Sequence, residues 1–237
     1  MAASLFTLPD PAAVEAMSAE EILTLCVREL PGKVSLACSF QKEESVLLDM
    51  LFAIEPKASV FAIDTHFLFP ETHALWREVE QRYDTTVEVY EGPSAEQLAA
   101  THGENLWERK PDLYLAIAKV EPLVRALGGL DAWITGVRRD QSPTRLQAPK
   151  LGWDATHELW KANPLADWSG DDCWAYIRER GLPYNPLHDR GYESIGDTHS
   201  TLPGAGRQGR WAGSDRTECG LHAVSPPAKP LEGPRGR

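Results

Sequence analysis

Val34-Ser35-Leu36-Ala37-Cys38-Ser39-Phe40-Gln41-Lys42-Glu43-Glu44-Ser45-Val46-Leu47-Leu48-Asp49-Met50-Leu51-Phe52 reads as a strand, a loop and a helix in immediate succession. Val34 to Cys38 is a short apolar run after the Pro31-Gly32 turn, and Val46, Leu47, Met50 and Leu51 recur at helical spacing. The unit then repeats. Ser59 to Ile63 is a second β-like run ending in Asp64-Thr65, and Pro70-Glu71 starts a helix that buries Leu75, Val79 and Tyr83. Thr86 to Tyr90 alternates as a third strand, and a helical segment from about Asp112 to Leu127 precedes a fourth, Ala132 to Thr135. Further along, His157 to Leu159 is expected as an edge strand, and Ser169 caps a helix that ends at Gly181. Upstream, Ser18 and Glu21 stand in capping-box spacing at the head of an entry helix over 18–30.

Strands alternating with helices predict an α/β, Rossmann-like, mostly parallel sheet with helices on both faces, because right-handed crossovers lay each helix back on the sheet. Ligands of such sheets bind beyond the carboxyl ends of the strands, at a switch point. The sequence places Ser39, Asp64-Thr65 and Gly136-Val137-Arg138-Arg139 at those ends.

At 237 residues and 42% hydrophobic content the chain can bury a sizeable core. A formal charge of −11 argues against general affinity for nucleic acid or for an anionic membrane, so an anionic ligand must be met by a local group of arginines. Residues 1–30 show no basic segment followed by an apolar run, and no membrane-length apolar stretch occurs; a cytoplasmic protein is expected. The four cysteines have no Cys-x-x-Cys spacing. Cys26, Cys38 and Cys173 fall in apolar patterns, whereas Cys219 lies in the polar stretch Arg216-Thr217-Glu218-Cys219-Gly220-Leu221-His222. Arg216 and His222 would place positive charge beside the thiol and raise its thiolate fraction; the alternative is an incidental surface cysteine.

Three arginines, Arg138, Arg139 and Arg145, follow the fourth strand, and guanidinium forks match phosphate and sulfate oxygens; a solvated turn is the competing reading. Arg207 and Arg210 are three apart beside Trp211 and converge if their loop tightens into a helical turn. Ser39 can offer its hydroxyl and neighbouring N–H groups to a phosphate at a helix N-terminus, although no Walker A pattern is present. Asp64 reads as a nucleotide contact or a turn cap, and His66 and His73 lack a ligand set for a metal.

Ile63 to Thr72, Lys119-Val120-Glu121-Pro122-Leu123, Gly136 to Arg145, Ser194 to Thr201 and Glu218-Cys219-Gly220-Leu221-His222 together closely resemble the assimilatory sulfonucleotide reductases, the phosphoadenylyl-sulfate (PAPS) and adenylyl-sulfate (APS) reductases of sulfate assimilation. The resemblance runs from about Val34 to His222. It implies that Cys219 attacks the sulfur of the bound sulfonucleotide, and that a thiol of thioredoxin or glutaredoxin then releases sulfite from the S-sulfocysteine. It further implies substrate contacts at Ser39, Lys119, Arg138, Arg145, Arg207 and Arg210; Asp64, Thr65, Gly136, Arg139 and His222 complete the expected set. A homodimer is implied by the family alone.

APS reductases of this family usually hold a [4Fe–4S] cluster on a Cys-Cys pair and a later Cys-x-x-Cys. Alignment through the motifs puts Tyr114-Leu115, Asp197 and Ser200 at those positions. No iron–sulfur cluster or other bound metal is therefore expected, which is like the cluster-free PAPS branch, while Ser39 to Ser45 and Gly206 to Trp211 look closer to the cluster-bearing APS enzymes. The expected organisation is a sulfonucleotide-binding domain over 1–202, a mobile catalytic arm over 203–222 carrying Cys219, and a disordered Pro-rich tail over 223–237. Two rivals stand beside it. An ATP-using adenylyltransferase or pyrophosphatase would need a glycine-rich loop where Cys38-Ser39-Phe40-Gln41 stands, and a non-catalytic nucleotide-binding protein would use Cys219 only as a redox link.

Overall fold

In the computed structural model, residues 9–30, 32–211, 218 and 220–222 are described. The chain order is α1 (Pro11–Ala16), α2 (Ala19–Thr24), β1 (Val34–Ala37), α3 (Lys42–Ile54), β2 (Ser59–Asp64), α4 (Pro70–Tyr83), β3 (Glu88–Glu91), α5 (Ala95–His102), α6 (Leu106–Arg109), α7 (Pro111–Leu115), α8 (Glu121–Leu127), β4 (Ala132–Ile134), β5 (Leu151–Asp154), β6 (Leu159–Ala162) and α9 (Gly170–Arg180). The six strands form one sheet in the order β3-β2-β1-β4-β6-β5, parallel except for β5, which runs antiparallel to β6. The chain winds outward from β1 to β3 and then returns to the other side of β1 with β4. That reversal opens a crevice between β1 and β4 at their carboxyl ends.

Alternation along the central strands assigns each residue to a face. Leu36, Val60, Ala62 and Ile134 join α2, α3, α4 and α9 in the larger apolar cluster, while Phe61 and Trp133 point the other way and pack with Leu123, Ala126 and Leu127 of α8. Each such side chain, removed from water, stabilises the fold by roughly 1.5–3 kcal/mol before entropy is counted. A third cluster joins Leu98, Leu106, Tyr114, Leu115 and Ala118 along the α5–α8 segment.

Several local signals are realised as read. Ser18 and Glu21 form the reciprocal capping box of α2, Ser169 caps α9, and Gly181 ends α9 in the left-handed conformation. Others differ. The entry helix finishes in a π-turn over Leu25–Glu29, and the helix expected over 112–127 is divided by a second π-turn, Ala116–Val120. His157 to Leu159 is not the edge strand: the strand is Leu159–Ala162, it lies inside the sheet, and the edge is Leu151–Asp154. Within the segment expected as a mobile arm, the described residues 203–211 form a turn closed by Leu202 N–H to Gly209 O (2.8 Å), Gly204 N–H to Gly191 O (2.9 Å) and Trp211 N–H to Ser200 O (2.9 Å). Gly209 permits this turn, since a Cβ there would stand 1.9 Å from the Leu202 carbonyl oxygen. The 223–237 tail and most of the 212–219 segment lie outside the described residues. Among those described, no helix is long and apolar enough to cross a membrane.

Candidate active site

The crevice holds a cavity of about 670 Å³, walled by the ends of β1, β2 and β4 and by the loops after Gly191 and Gly206. Ser39, Thr65, Lys119, Gly136, Arg138, Arg145, Arg207, Arg210 and His222 all line it. Asp64 and Arg139 do not. The Asp64 carboxylate turns back to accept the His66 N–H at 2.7 Å, a local cap after β2, and Arg139 donates to Ala148 O at 2.9 Å and pairs with Glu15 on α1. Cys219 and Arg216 lie outside the described residues.

The floor is built by the turn from β1 into α3, where Phe40 takes a left-handed φ of 56°. Ser39 Oγ donates to Glu44 Oε2 at 2.8 Å and the Gln41 N–H donates to the same oxygen at 3.1 Å. The donors expected to meet a phosphate are thus held by the chain's own carboxyl group. Burial, reinforced by the neighbouring Glu43 charge, pushes Glu44 up to about 8. Glu43 goes the other way: burial opposes its ionisation, but Lys42 and Arg138 outweigh burial and hold it below the usual carboxylate range. Arg138 Nε donates to Glu43 Oε1 at 3.0 Å and its Nη1 pairs with Asp140. This arginine is a strut in the cavity wall with its charge matched by carboxylates. Gly136 is required by packing, because a Cβ would stand 2.8 Å from Glu43 Cβ and 2.4 Å from Glu44 Oε1.

At the mouth, Arg145 and Arg207 form an anion clamp that holds Glu218. Arg145 Nε and Nη2 donate to Glu218 Oε1 and Oε2 at 2.9 and 2.7 Å, Arg207 Nη2 reaches Oε2 at 3.4 Å, and Thr144 Oγ1 and Ser142 Oγ donate at 2.9 and 3.2 Å. Although burial works against the carboxylate, these partners keep Glu218 below its usual range. Arg210 is buried, donates to Ile195 O at 3.0 Å, and shares the Trp211 ring with Arg207 at 4.6 and 5.5 Å. The spacing of Arg207 and Arg210 does bring them to one place.

His222 stacks on Trp133 at 5.6 Å and 21°, with the Lys161 ammonium 3.3 Å from His222 Nδ1 and 4.7 Å from the Trp133 ring centre. Burial, then Lys161, Arg145 and Arg207, drive its pKa well below the usual histidine value. His222 is therefore a neutral imidazole, contrary to the positive charge expected of it, and the cations acting on it are Lys161, Arg145 and Arg207.

Behind the wall, Asp197 is 0% exposed and gathers Thr65 Oγ1 (2.8 Å), Tyr114 OH (3.0 Å) and Lys119 Nζ (3.0 Å). The sequence reading placed Asp197 only at a position aligned with a cluster thiolate, and it did not single out the Glu43–Glu44 pair. For the pair the signal was α3 itself, apolar from Val46 onward save for Asp49 and buried from its first turn. Tyr114, Leu115, Asp197 and Ser200, the positions aligned with cluster thiolates, do not fit an iron–sulfur cluster: two of them hydrogen-bond each other, and none supplies sulfur. Among the described residues no group of three or more His, Cys, Asp or Glu side chains could hold a metal ion.

Residues 33–203 match the family described as the phosphoadenosine phosphosulfate reductase domain. A phosphoadenosine 5′-phosphosulfate reductase of Gloeobacter violaceus is 47% identical over 217 residues, covering 88% of this chain and 90% of the relative. An adenosine 5′-phosphosulfate reductase of Lysinibacillus sphaericus is 42% identical over 208 residues, 85% of this chain and 89% of the relative. Among solved structures, a phosphoadenylyl-sulfate reductase of Candida auris superposes with a TM-score of 0.73 at 35% identity, covering 81% of this chain and 94% of that one. An FMN adenylyltransferase of Candida glabrata, at 18% identity and a TM-score of 0.56, shares the fold alone.

Proposed function

Because this chain belongs to the phosphoadenosine phosphosulfate reductase domain family and is a sulfonucleotide reductase, we propose that it reduces 3′-phosphoadenylyl sulfate, with Cys219 as nucleophile and thioredoxin or glutaredoxin as reductant. The observation that carries this reading is the clamp. Arg145 and Arg207 grip the carboxylate of Glu218, the chain neighbour of Cys219, and His222 of the same motif lines the crevice, which supports the reading. In the proposed step the Cys219 thiolate attacks the sulfonate sulfur. The sulfur–oxygen bond to the nucleotide breaks, its electron pair leaves on the phosphate, and adenosine 3′,5′-bisphosphate departs. A thiolate of the reductant then attacks Cys219 Sγ, expels sulfite with the electron pair, and leaves a mixed disulfide that the reductant's second thiol resolves.

The positive groups at the mouth suit both ends of this step. They lower repulsion between thiolate and sulfonate and stabilise charge growing on the leaving phosphate. A second reading, adenylyl sulfate as substrate without a cluster, is favoured by the 42% identity to a reductase of that name. The test is mass spectrometry of the reduced protein after incubation with each nucleotide and no thioredoxin. A sulfo adduct on Cys219 that leaves as sulfite when reduced thioredoxin is added is expected, with the faster-reacting nucleotide naming the substrate. Nucleotide binding without any adduct would overturn the catalytic reading in favour of a binding protein.

A further inference from the structure

Four groups from separate parts of the chain meet behind the cavity wall at one carboxylate, that of Asp197. Thr65 comes from the end of β2, Tyr114 from α7, Lys119 from the π-turn before α8, and Asp197 and His199 from the loop that pairs with Leu68. Thr65 Oγ1 takes one Asp197 oxygen at 2.8 Å; Tyr114 OH and Lys119 Nζ share the other at 3.0 Å each, with His199 Nε2 at 3.7 Å. Lys119 faces the cavity, whereas Asp197 and Tyr114 are absent from its lining. An ammonium has three donors, and a carboxylate fixed behind it takes one. The others are thereby aimed forward.

The carboxylate is over-determined in a way that ordinary core packing does not require. Burying an acid costs free energy unless it is paired and hydrogen-bonded, and a tyrosine and threonine in place of apolar side chains add nothing to packing that phenylalanine and valine would not. What the arrangement does secure is the position of the Lys119 ammonium. We propose that Asp197, held by Tyr114 and Thr65, is a positioning residue that fixes the Lys119 ammonium toward the sulfonate of the bound nucleotide, at the place where the alignment puts cluster cysteines in the iron-bearing branch. This assignment rests on the sulfonucleotide reading for the identity of the anion, but not for the geometry of the lysine.

The titratable groups around the Lys119 ammonium are Asp197, which burial opposes but Lys119 and Thr65 keep ionised; Tyr114, which burial and the Asp197 charge keep neutral; and His199, which burial keeps neutral against the pull of Asp197, with Lys119 and Arg210 adding to the same side. Asp197→Asn keeps the shape and removes the charge. Two readouts separate the proposal from simple loss of structure. The first is NMR of protein carrying isotope-labelled lysine, with the Lys119 signal assigned by its absence in Lys119→Arg. In Asp197→Asn the Lys119 side-chain signal is expected to move from its wild-type position and broaden as the ammonium loses its fixed partner, and this measurement does not depend on activity. The second is sulfite release, where kcat is expected to fall by about tenfold or more through loss of a charge-assisted contact, while affinity for adenosine 3′,5′-bisphosphate, which lacks the sulfonate, is unchanged. Tyr114→Phe, milder because it removes a single hydroxyl, is expected to move both readouts in the same direction by less. An unmoved Lys119 signal in both variants overturns the proposal, as does equal loss of bisphosphate binding and turnover. Wild-type protein that makes no sulfite while the lysine shift is present would refute the sulfonucleotide reading and leave the positioning role standing.

Discussion

Glu218→Gln removes the charge that occupies the arginine clamp while keeping the side chain's size. In the structure the carboxylate receives two parallel bonds from Arg145 at 2.9 and 2.7 Å, a longer one from Arg207 and two hydroxyl bonds. The group retains 17% side-chain exposure, so the lower part of the charge-assisted range applies, and the clamp holds it by about 2 kcal/mol. A contact of that strength leaves the clamp open in roughly one molecule in 30, so an anion that needs the same arginines binds about 30-fold more weakly than to an empty clamp. Titration calorimetry with adenosine 3′,5′-bisphosphate is expected to show tighter binding to Glu218→Gln, by up to ~30-fold at low salt and less as salt screens the pair. Bisphosphate affinity equal to or weaker than wild type would refute competition between Glu218 and the nucleotide.

Glu44→Gln tests the buried floor: with its pKa raised from 4.5 to about 8 on folding, Glu44 contributes stability below pH 4.5 that is lost as pH rises through 8, so thermal melting of the wild type should decline relative to the variant across that interval. Gly196→Ala puts a Cβ 2.3 Å from Arg210 Nη2; urea denaturation should show a loss of about 1–3 kcal/mol as the buried guanidinium is displaced, and an unchanged midpoint would show that Arg210 can yield. Lys161→Met removes the cation facing His222, so the histidine's NMR titration should move upward toward the ordinary value, without reaching it while burial persists.

The crossover pattern was legible because it depends on local periodicity: Val60 and Ala62 against Phe61, and the caps at Ser18, Ser169 and Gly181, carry their own signals. Strand ends then marked the crevice, and most of the residues expected there do line it. The edge strand Leu151–Asp154 was not legible, since Gly152 interrupts it and half-exposed Trp153 breaks the alternation. Nor could spacing separate Arg139 from Arg138; adjacent guanidinium groups leave in opposite directions, one to Glu43 and the other to Glu15 on the opening helix. Partnerships such as Arg145 with Glu218, 73 residues apart, or Tyr114 with Asp197, 83 apart, exist only after folding.

The wide turn at Ala116–Val120 bears on how this cavity wall could arise or be lost. A turn of five-residue hydrogen-bond rings within an α-helix is equivalent to one inserted residue, and it rotates everything beyond it by about 100° relative to an uninterrupted helix. Lys119 lies within that turn, with Tyr114 before it and the apolar stripe Leu123, Ala126 and Leu127 after it. The extra residue therefore lets a single helical segment show its sheet-packing face and its cavity face at once. Excising one residue between Leu115 and Val120 would restore regular winding and force a choice: keep the stripe on the sheet and turn the ammonium away, or keep the ammonium and unseat the stripe.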